Sequence, residues 1–111
     1  FSLGIIDFCE VLDFNKKFNI SKQLFRSGTS IGANVREAQN AESKADFIHK
    51  LKLAAKEADE SWYWLLLCKD SPAYPTDYEL LKKVEDISKV LSKIIATSKR
   101  RIQESKMNKN N

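Results

Sequence analysis

Apolar residues recur along this chain at alternating spacings of four and three, the pattern of α-helices that pack against other helices. The longest stripes run from Phe47 to Cys68 and from Leu80 to Ile102. Four segments carry the pattern, at about residues 3–15, 22–39, 43–70 and 76–104. No run of alternating apolar and polar residues indicates a strand. The pattern therefore predicts an all-α, antiparallel up-down four-helix bundle that occupies residues 1–104.

Residues with capping side chains mark the predicted helix starts. Ser21, Ser43 and Thr76 each precede a helical segment, as N-cap residues do. Asp46 follows Ser43 by three positions, and Glu79 follows Thr76 by three, as in a capping box. These pairs predict that the third and fourth helices start close to Ser43 and Thr76.

The pentapeptide Gly28-Thr29-Ser30-Ile31-Gly32 reads G-x-S-x-G, the signature of a serine-hydrolase nucleophile elbow. An elbow holds its serine between a strand and a helix, and its triad needs a later acid and a later histidine. The residues before Ser30 have a helical pattern, and the single histidine, His49, follows Asp46 within one helical turn. We therefore predict that Ser30 is not a nucleophile.

The same segment is rich in small residues, which allow neighbouring helices to approach closely. Gly28 and Gly32 lie four positions apart and share one helix face. Each glycine costs a helix about 1 kcal/mol relative to alanine, so close packing must offset that cost. The alternative is a break at Gly28 that divides the segment into two shorter helices. The predicted structural motif consists of Ser27, Gly28, Ser30, Gly32, Asn34 and Glu37.

Asn34 and Glu37 are polar residues beside an apolar seam. We interpret them as members of a buried hydrogen-bond network that fixes the register of the helices. The predicted partners in that network are Ser61, Trp62 and Tyr63. The alternative is a polar pocket or an RNA-facing edge that also includes Arg26 and Arg36.

The third helix carries a second set of apolar residues outside its main stripe. Leu53, Trp64 and Leu67 lie roughly 160–220° around the helix from Leu51. A small monomeric bundle cannot bury two faces of one helix, and an exposed Trp–Leu patch is typical of an interface. These three residues are therefore the predicted self-association surface.

The formal net charge is +4, and it is concentrated at one end of the chain. Residues 1–75 carry ten basic and ten acidic side chains, and residues 76–98 carry four of each. The excess lies in residues 99–111, of which 105–111 are predicted as a flexible basic tail. The candidate nucleic-acid-binding residues are Lys99, Arg100, Arg101 and Lys106, with Arg26 and Arg36 in addition. The alternative is that the first four only complement a helix dipole, since no aromatic residue interleaves with them as a stacking platform.

No motif indicates an enzyme, a cofactor or a metal. Gly32 is not followed by the Lys and Ser/Thr that complete a Walker A phosphate-binding loop. A carboxylate metal site in a helical bundle needs Glu-x-x-His on two helices, whereas the chain has one histidine. Cys9 and Cys68 are predicted to be free buried thiols of a cytoplasmic protein. No apolar run approaches about 18 residues, so no membrane span is predicted. The sequence begins at Phe1 rather than Met, and we expect native residues before it.

The stretch from Ser21 to Asp70 resembles the bacterial four-helix-bundle family of 23S rRNA intervening-sequence proteins. The segments that carry the resemblance are SKQL, RSGTSIGAN, EA, SK, DFI, KEA and YWL. They extend over about fifty continuous residues, and the flanking helices agree in length and pattern.

This resemblance implies a four-helix protomer, assembled as a ring-like homopentamer, without catalytic activity. Many members of the family are encoded within inserts of ribosomal RNA genes, which favours an RNA-related role. A related branch, the accessory variability proteins of diversity-generating retroelements, is associated with a reverse transcriptase and nucleic acid through a basic surface. The neutral body of the present chain departs from that branch. We expect a non-enzymatic oligomer that binds RNA; the alternative is an interaction scaffold or accessory subunit of a nucleic-acid enzyme such as a reverse transcriptase.

Overall fold

The computed structural model describes residues 1–109, and within that range the secondary structure consists of four α-helices and no strand. The helices are α1 (Ser2–Phe14), α2 (Phe18–Gln39), α3 (Lys44–Asp70) and α4 (Tyr78–Lys109). Helix α2 packs between α1 and α3, and α3 also packs against α4. The predicted all-α four-helix fold is confirmed.

The turn between α1 and α2 lies earlier than the sequence predicted. Lys16 has a left-handed φ of 61°, and the Lys17 amide donates to the Leu12 carbonyl at 2.8 Å. The Lys16 amide donates to Asp13, which completes the two hydrogen bonds of a Schellman motif. The chain therefore re-enters a helix at Phe18, and Ser21 is not an N-cap. Ser21 is buried instead, and its hydroxyl donates to the Cys9 carbonyl at 3.2 Å.

The start of α3 is as predicted and the start of α4 is not. The Ser43 hydroxyl accepts a hydrogen bond from the Asp46 amide at 3.0 Å, which confirms Ser43 as the N-cap of α3. At α4 the Asp77 carboxylate accepts from the Leu80 amide at 3.0 Å. Thr76 donates its hydroxyl to the Cys68 carbonyl at 3.4 Å and so ties the loop to the end of α3. Aspartate is a stronger N-cap than threonine, which agrees with Asp77 rather than Thr76 capping α4.

The apolar core is divided into two halves along the bundle axis. Helix α1 has 13 residues, against 22, 27 and 32 in α2, α3 and α4. In the four-helix half, all four helices contribute buried side chains, among them Ile5, Leu24, Leu65 and Val84. In the three-helix half, the core contains no residue of α1 and is built from Ala38, Leu51, Ala54 and Leu91, with partly buried Val35, Phe47, Ala55, Ile87 and Ile95.

The molecule is a rod, with a longest dimension of 62 Å and a radius of gyration of 16.8 Å. A compact domain of 100 residues has a radius of gyration of about 13 Å. Helix α4 is the longest element, about 48 Å for its 32 residues. It continues to Lys109, so residues 105–109 are helical although the sequence predicted a flexible tail from 105. Arg100 and Glu104, one turn apart, form an ion pair of 3.9 Å that supports this extension. Asn110 and Asn111 lie outside the described residues.

Candidate nucleic-acid interface

Helix α2 passes through the glycine-rich segment without a break, so the alternative of two shorter helices is wrong. A β-carbon at Gly28 would lie 2.9 Å from both Cγ1 and Cγ2 of Ile5, a fully buried residue of α1. The missing side chain therefore allows α1 and α2 to come into contact here. Gly32 is exposed, and its nearest neighbour would be the Ser2 hydroxyl at 3.2 Å.

The buried polar contact between α2 and α3 is a pair of serines. The Ser61 hydroxyl donates to Ser27 Oγ at 2.8 Å, and both residues have no exposed surface. The predicted buried network of Asn34 and Glu37 is wrong. The Asn34 amide donates to the Ser30 carbonyl of its own helix at 2.9 Å, and Glu37 pairs with Lys50 at 3.1 Å on the surface. In the register of α2 against α3, Ser61 lies opposite Ser27, which is two helical turns before Asn34.

Ser30 lies in the middle of a helix, where its hydroxyl donates to the Arg26 carbonyl one turn earlier. This is the ordinary arrangement of a helical serine and supplies no base to activate the oxygen.

The two cysteines are free and buried, as predicted. Burial raises the pKa of the Cys9 thiol to about 11 and also raises the pKa of the Cys68 thiol, so both remain protonated near neutral pH. Within residues 1–109 no group of three or more His, Cys, Asp or Glu side chains is placed to hold a metal ion.

Arg26, a candidate nucleic-acid contact, is already engaged by acidic side chains of α3. Its guanidinium donates to the Glu57 carboxylate at 3.2 Å and to the Glu60 carboxylate. The hydrogen bond to Glu60 is the main reason why the pKa of Arg26 is raised, with the charges of both glutamates adding to it. Two carboxylates thus offset its single charge, and Arg26 is part of the α2–α3 packing.

Arg36 lines a different groove from Arg101 and Lys106. It lines a shallow groove of about 400 Å³ together with Glu37, Asn40, Glu42, Asp46 and Lys50. Three carboxylates stand against two cations in that lining. This groove is therefore unfavourable for a phosphate, and the structure does not join Arg36 to the basic residues of α4.

The predicted self-association face of α3 is interrupted by charge. Leu53, Glu57, Glu60, Trp64 and Leu67 follow one another at spacings of 4, 3, 4 and 3, so the glutamates that bind Arg26 lie between the apolar residues. The three apolar residues are half-buried, and Trp64 packs against the four-helix core.

The neighbouring aromatic residues of α3 are more exposed than this face. Tyr63 is 49% exposed and Trp62 is 37% exposed. The indole of Trp62 nevertheless donates a hydrogen bond to Glu85 of α4 at 3.2 Å. Tyr63 packs against Trp64, with ring centroids 5.3 Å apart, so the exposed aromatic surface of α3 adjoins the predicted face at Trp64.

Cations of α3 join those of α4 in the three-helix half. Lys99 lies beside Lys52 of α3, and the pKa of Lys99 is lowered first by the side-chain hydrogen bond with Lys52 and then by the like charge of Lys52. Lys106 and Lys44 line a groove of about 390 Å³ with Ala45, Ile102 and Ser105. Arg100 pairs instead with Glu104.

Arg101 is associated with an aromatic residue that the sequence pattern did not connect with it. Arg101, Ser98 and Phe47 line a groove of about 420 Å³ whose wall includes Ala38 and Lys44. The same three residues also line an adjoining groove of about 390 Å³ with Lys93 and Ile94. Phe47 belongs to α3, and the packing of α3 against α4 places it among the cations.

We name the resulting surface the basic end, defined by Lys44, Lys52, Lys93, Lys99, Arg101 and Lys106. Within the described part of the chain, none of these six residues takes part in an ion pair, whereas Arg26, Lys50, Lys83 and Arg100 do. These six cations lie on two adjacent helices, at the end of the bundle that α1 does not reach, and residues 99–111 hold the excess of basic over acidic residues in the sequence. This arrangement can attract polyanions.

The fold and this surface define the class of the protein, an all-α helical-bundle protein with one cationic end. The model of the 23S rRNA-intervening sequence protein family matches residues 1–93, and the chain belongs to this family. None of the four helices, over the residues described, is long and apolar enough to cross a membrane.

A solved structure supports the same assignment. It is a protein of unknown function from the S23 ribosomal protein family of Bacteroides thetaiotaomicron, 42% identical to this chain, with a TM-score of 0.76. The match covers 86% of this chain and 88% of that chain. No curated protein matches this sequence.

Proposed function

We propose that this protein is a non-enzymatic, oligomeric, cytoplasmic bundle protein that binds RNA through the basic end. The observation that carries the proposal is the set of six cations on α3 and α4 without ion-pair partners among residues 1–109. The family description, which refers to the intervening sequence of 23S rRNA, agrees with RNA as the polyanion.

The Lys52–Lys99 contact gives this proposal a physical basis. Two ammonium groups side by side repel one another, and a phosphate between them converts that repulsion into two attractive contacts. Each phosphate that a cation neutralises also releases condensed counterions, so affinity falls as salt rises, with a slope of about −0.7 per contact for single strands. Oligomerisation repeats the basic end and raises avidity.

The test is fluorescence anisotropy of labelled ribosomal RNA fragments at low and at physiological salt. The double variant Lys52→Gln/Lys99→Gln removes two phosphate contacts, so we expect about tenfold weaker binding at physiological salt and a salt slope smaller by about 1.4. The matched control, Lys22→Gln/Lys82→Gln, removes the same net charge from exposed positions of the four-helix half and should change binding little.

A chain cut after Ser98 provides the second arm of this test, because it removes Lys99, Arg101 and Lys106 together. We expect it to lose binding at physiological salt. Equal losses from both double variants would contradict a localised site and indicate a general effect of net charge. No binding at either salt concentration would contradict the RNA proposal and direct the search to a protein partner, such as a nucleic-acid-processing enzyme.

The proposed self-association has its own test. Phe18 and Phe25 lie two helical turns apart on α2 and are 59% and 47% exposed, as expected of residues covered by a second copy. We expect light scattering to give several times the 12.7 kDa of one chain, and Phe18→Ser/Phe25→Ser to reduce that mass. A reduction caused instead by Leu53→Lys/Leu67→Lys would assign the interface to α3. A wild-type mass of one chain would contradict self-association.

A further inference from the structure

The groove between Phe47 and Arg101 has the features of a site for a single unpaired RNA base. We propose that a base enters this groove against Phe47 while Arg101 and the neighbouring lysines hold the adjacent phosphates, so that the protein prefers single-stranded to duplex RNA. This inference rests on the proposed function and deepens it, because it names the form of RNA and the residue that reads it.

The shape and lining of the groove fit a flat aromatic ligand. Its volume of about 420 Å³ lies in the range of small-molecule sites, about 300–1,000 Å³. Phe47 is partly buried against Ala38 and the other apolar residues of the three-helix core, and it also lines the groove. Gln39 and Ser98 add polar groups to the lining, which can hydrogen-bond to a base edge.

The charges around Phe47 fit the phosphates on either side of such a base. Arg101 and Lys44 line the groove with Phe47, and Lys93 lines the adjoining groove that shares Phe47 and Arg101. A cationic track combined with an aromatic side chain is the usual design of a site for single-stranded nucleic acid, since every base offers a face for stacking. Arg101, Lys44 and Lys93 can therefore contact the phosphates that precede and follow a base stacked on Phe47.

Two other occupants of the groove, duplex RNA and an amphipathic helix of a protein partner, fit its shape less well than an unpaired base. Bases in an A-form duplex are stacked inside the helix, so only an unpaired base can enter a groove of this kind. An amphipathic helix of a protein partner needs a longer row of apolar contacts, at i, i+3, i+4 and i+7. Here the apolar lining around Phe47 is short, namely Ala38, Ala41 and Ile94, and cations border it.

The experiment combines a change in the protein with a change in the RNA. Wild type and Phe47→Leu are titrated with labelled single strands of about eight nucleotides, within the usual site size, either intact or with every base removed. Leucine keeps an apolar side chain in the three-helix core and lacks the aromatic face. Phe14→Leu, which changes an exposed aromatic residue of α1 in the four-helix half, is the control.

We expect base removal to weaken binding to wild type by about fivefold or more, the smallest effect typical of one stacked base. Phe47→Leu should weaken binding of the intact strand by a similar factor and should leave binding of the abasic strand unchanged. The reason is that base removal and loss of the aromatic ring both abolish the same contact, the stacking of a base on Phe47. A duplex of equal length should bind wild type more weakly than the intact strand. Phe14→Leu should behave as wild type.

Ser98→Leu provides a second variant that does not disturb Phe47, since it fills the groove from α4 and should weaken binding of the intact strand alone. Equal losses on base removal in wild type, Phe47→Leu and Ser98→Leu would overturn the inference and leave RNA binding through the basic end in place. Duplex binding as tight as single-strand binding would overturn it in the same way. Failure of every RNA to bind would reject the proposed function itself.

Discussion

Leu65→Ala is expected to lower the free energy of unfolding by about 4 kcal/mol, and Leu51→Ala by about 2 kcal/mol, although the two residues look alike. Both lie on α3 and are fourteen positions apart, close to the same helix face. Their exposed fractions are 2% and 3%. The difference is expected from their surroundings, because the cost of a large-to-small substitution depends on how far the neighbours can relax into the cavity.

Leu65 lies in the four-helix half, where side chains from all four helices surround the core and leave little freedom to close a gap. Leu51 lies in the three-helix half, where α1 is absent and the partly buried Phe47 and Val35 can move inward. Urea denaturation of both variants measures the two losses, and the wild-type slope with urea checks that the transition remains cooperative. Equal losses would contradict the division of the core into halves of different rigidity.

The fold was predictable from sequence because its determinants are local or periodic. The 4–3 spacing identified the helices, and the Ser43 cap was predicted to the residue. The errors arose where two similar signals competed. Thr76 and Asp77 are both capping residues, and the aspartate took the role. Ser21 looked like a cap, but the Schellman motif centred on Lys16 had already turned the chain, and a left-handed lysine has no sequence signature.

The candidate site was less predictable because it depends on contacts between distant segments. The cations of α4 were evident from charge counting, whereas the contributions of Lys44, Lys52 and Phe47 depend on how α3 lies against α4. Arg26 could not be separated from the candidate ligands by composition, because its carboxylate partners lie 31 and 34 positions further along the chain. The spacing along α3 was the signal that Glu57 and Glu60 interrupt the face of Leu53 and Trp64.

The two glycines of α2 are expected to respond in opposite directions to the same substitution. Gly28→Ala should destabilise the protein, because the new methyl would lie 2.9 Å from the two branches of Ile5, which is fully buried and cannot move aside freely. Overpacking of this kind costs about 1–3 kcal/mol, which exceeds or matches the gain of about 1 kcal/mol from replacing a helical glycine. The expected net loss reaches about 2 kcal/mol.

Gly32→Ala should stabilise the protein by up to about 1 kcal/mol, since the same gain in helix propensity applies and the only close neighbour is the Ser2 hydroxyl at 3.2 Å. Ser2 is the first residue of α1, so a small shift of its hydroxyl relieves the contact. Paired thermal and urea melts of the two variants give the comparison. A stabilising Gly28→Ala would mean that α1 can withdraw from α2 at no cost, which the Ile5–Gly28 contact does not allow. The G-x-S-x-G segment thus acts through the close approach of two helices, and Gly28 rather than Ser30 is the residue on which the structure depends.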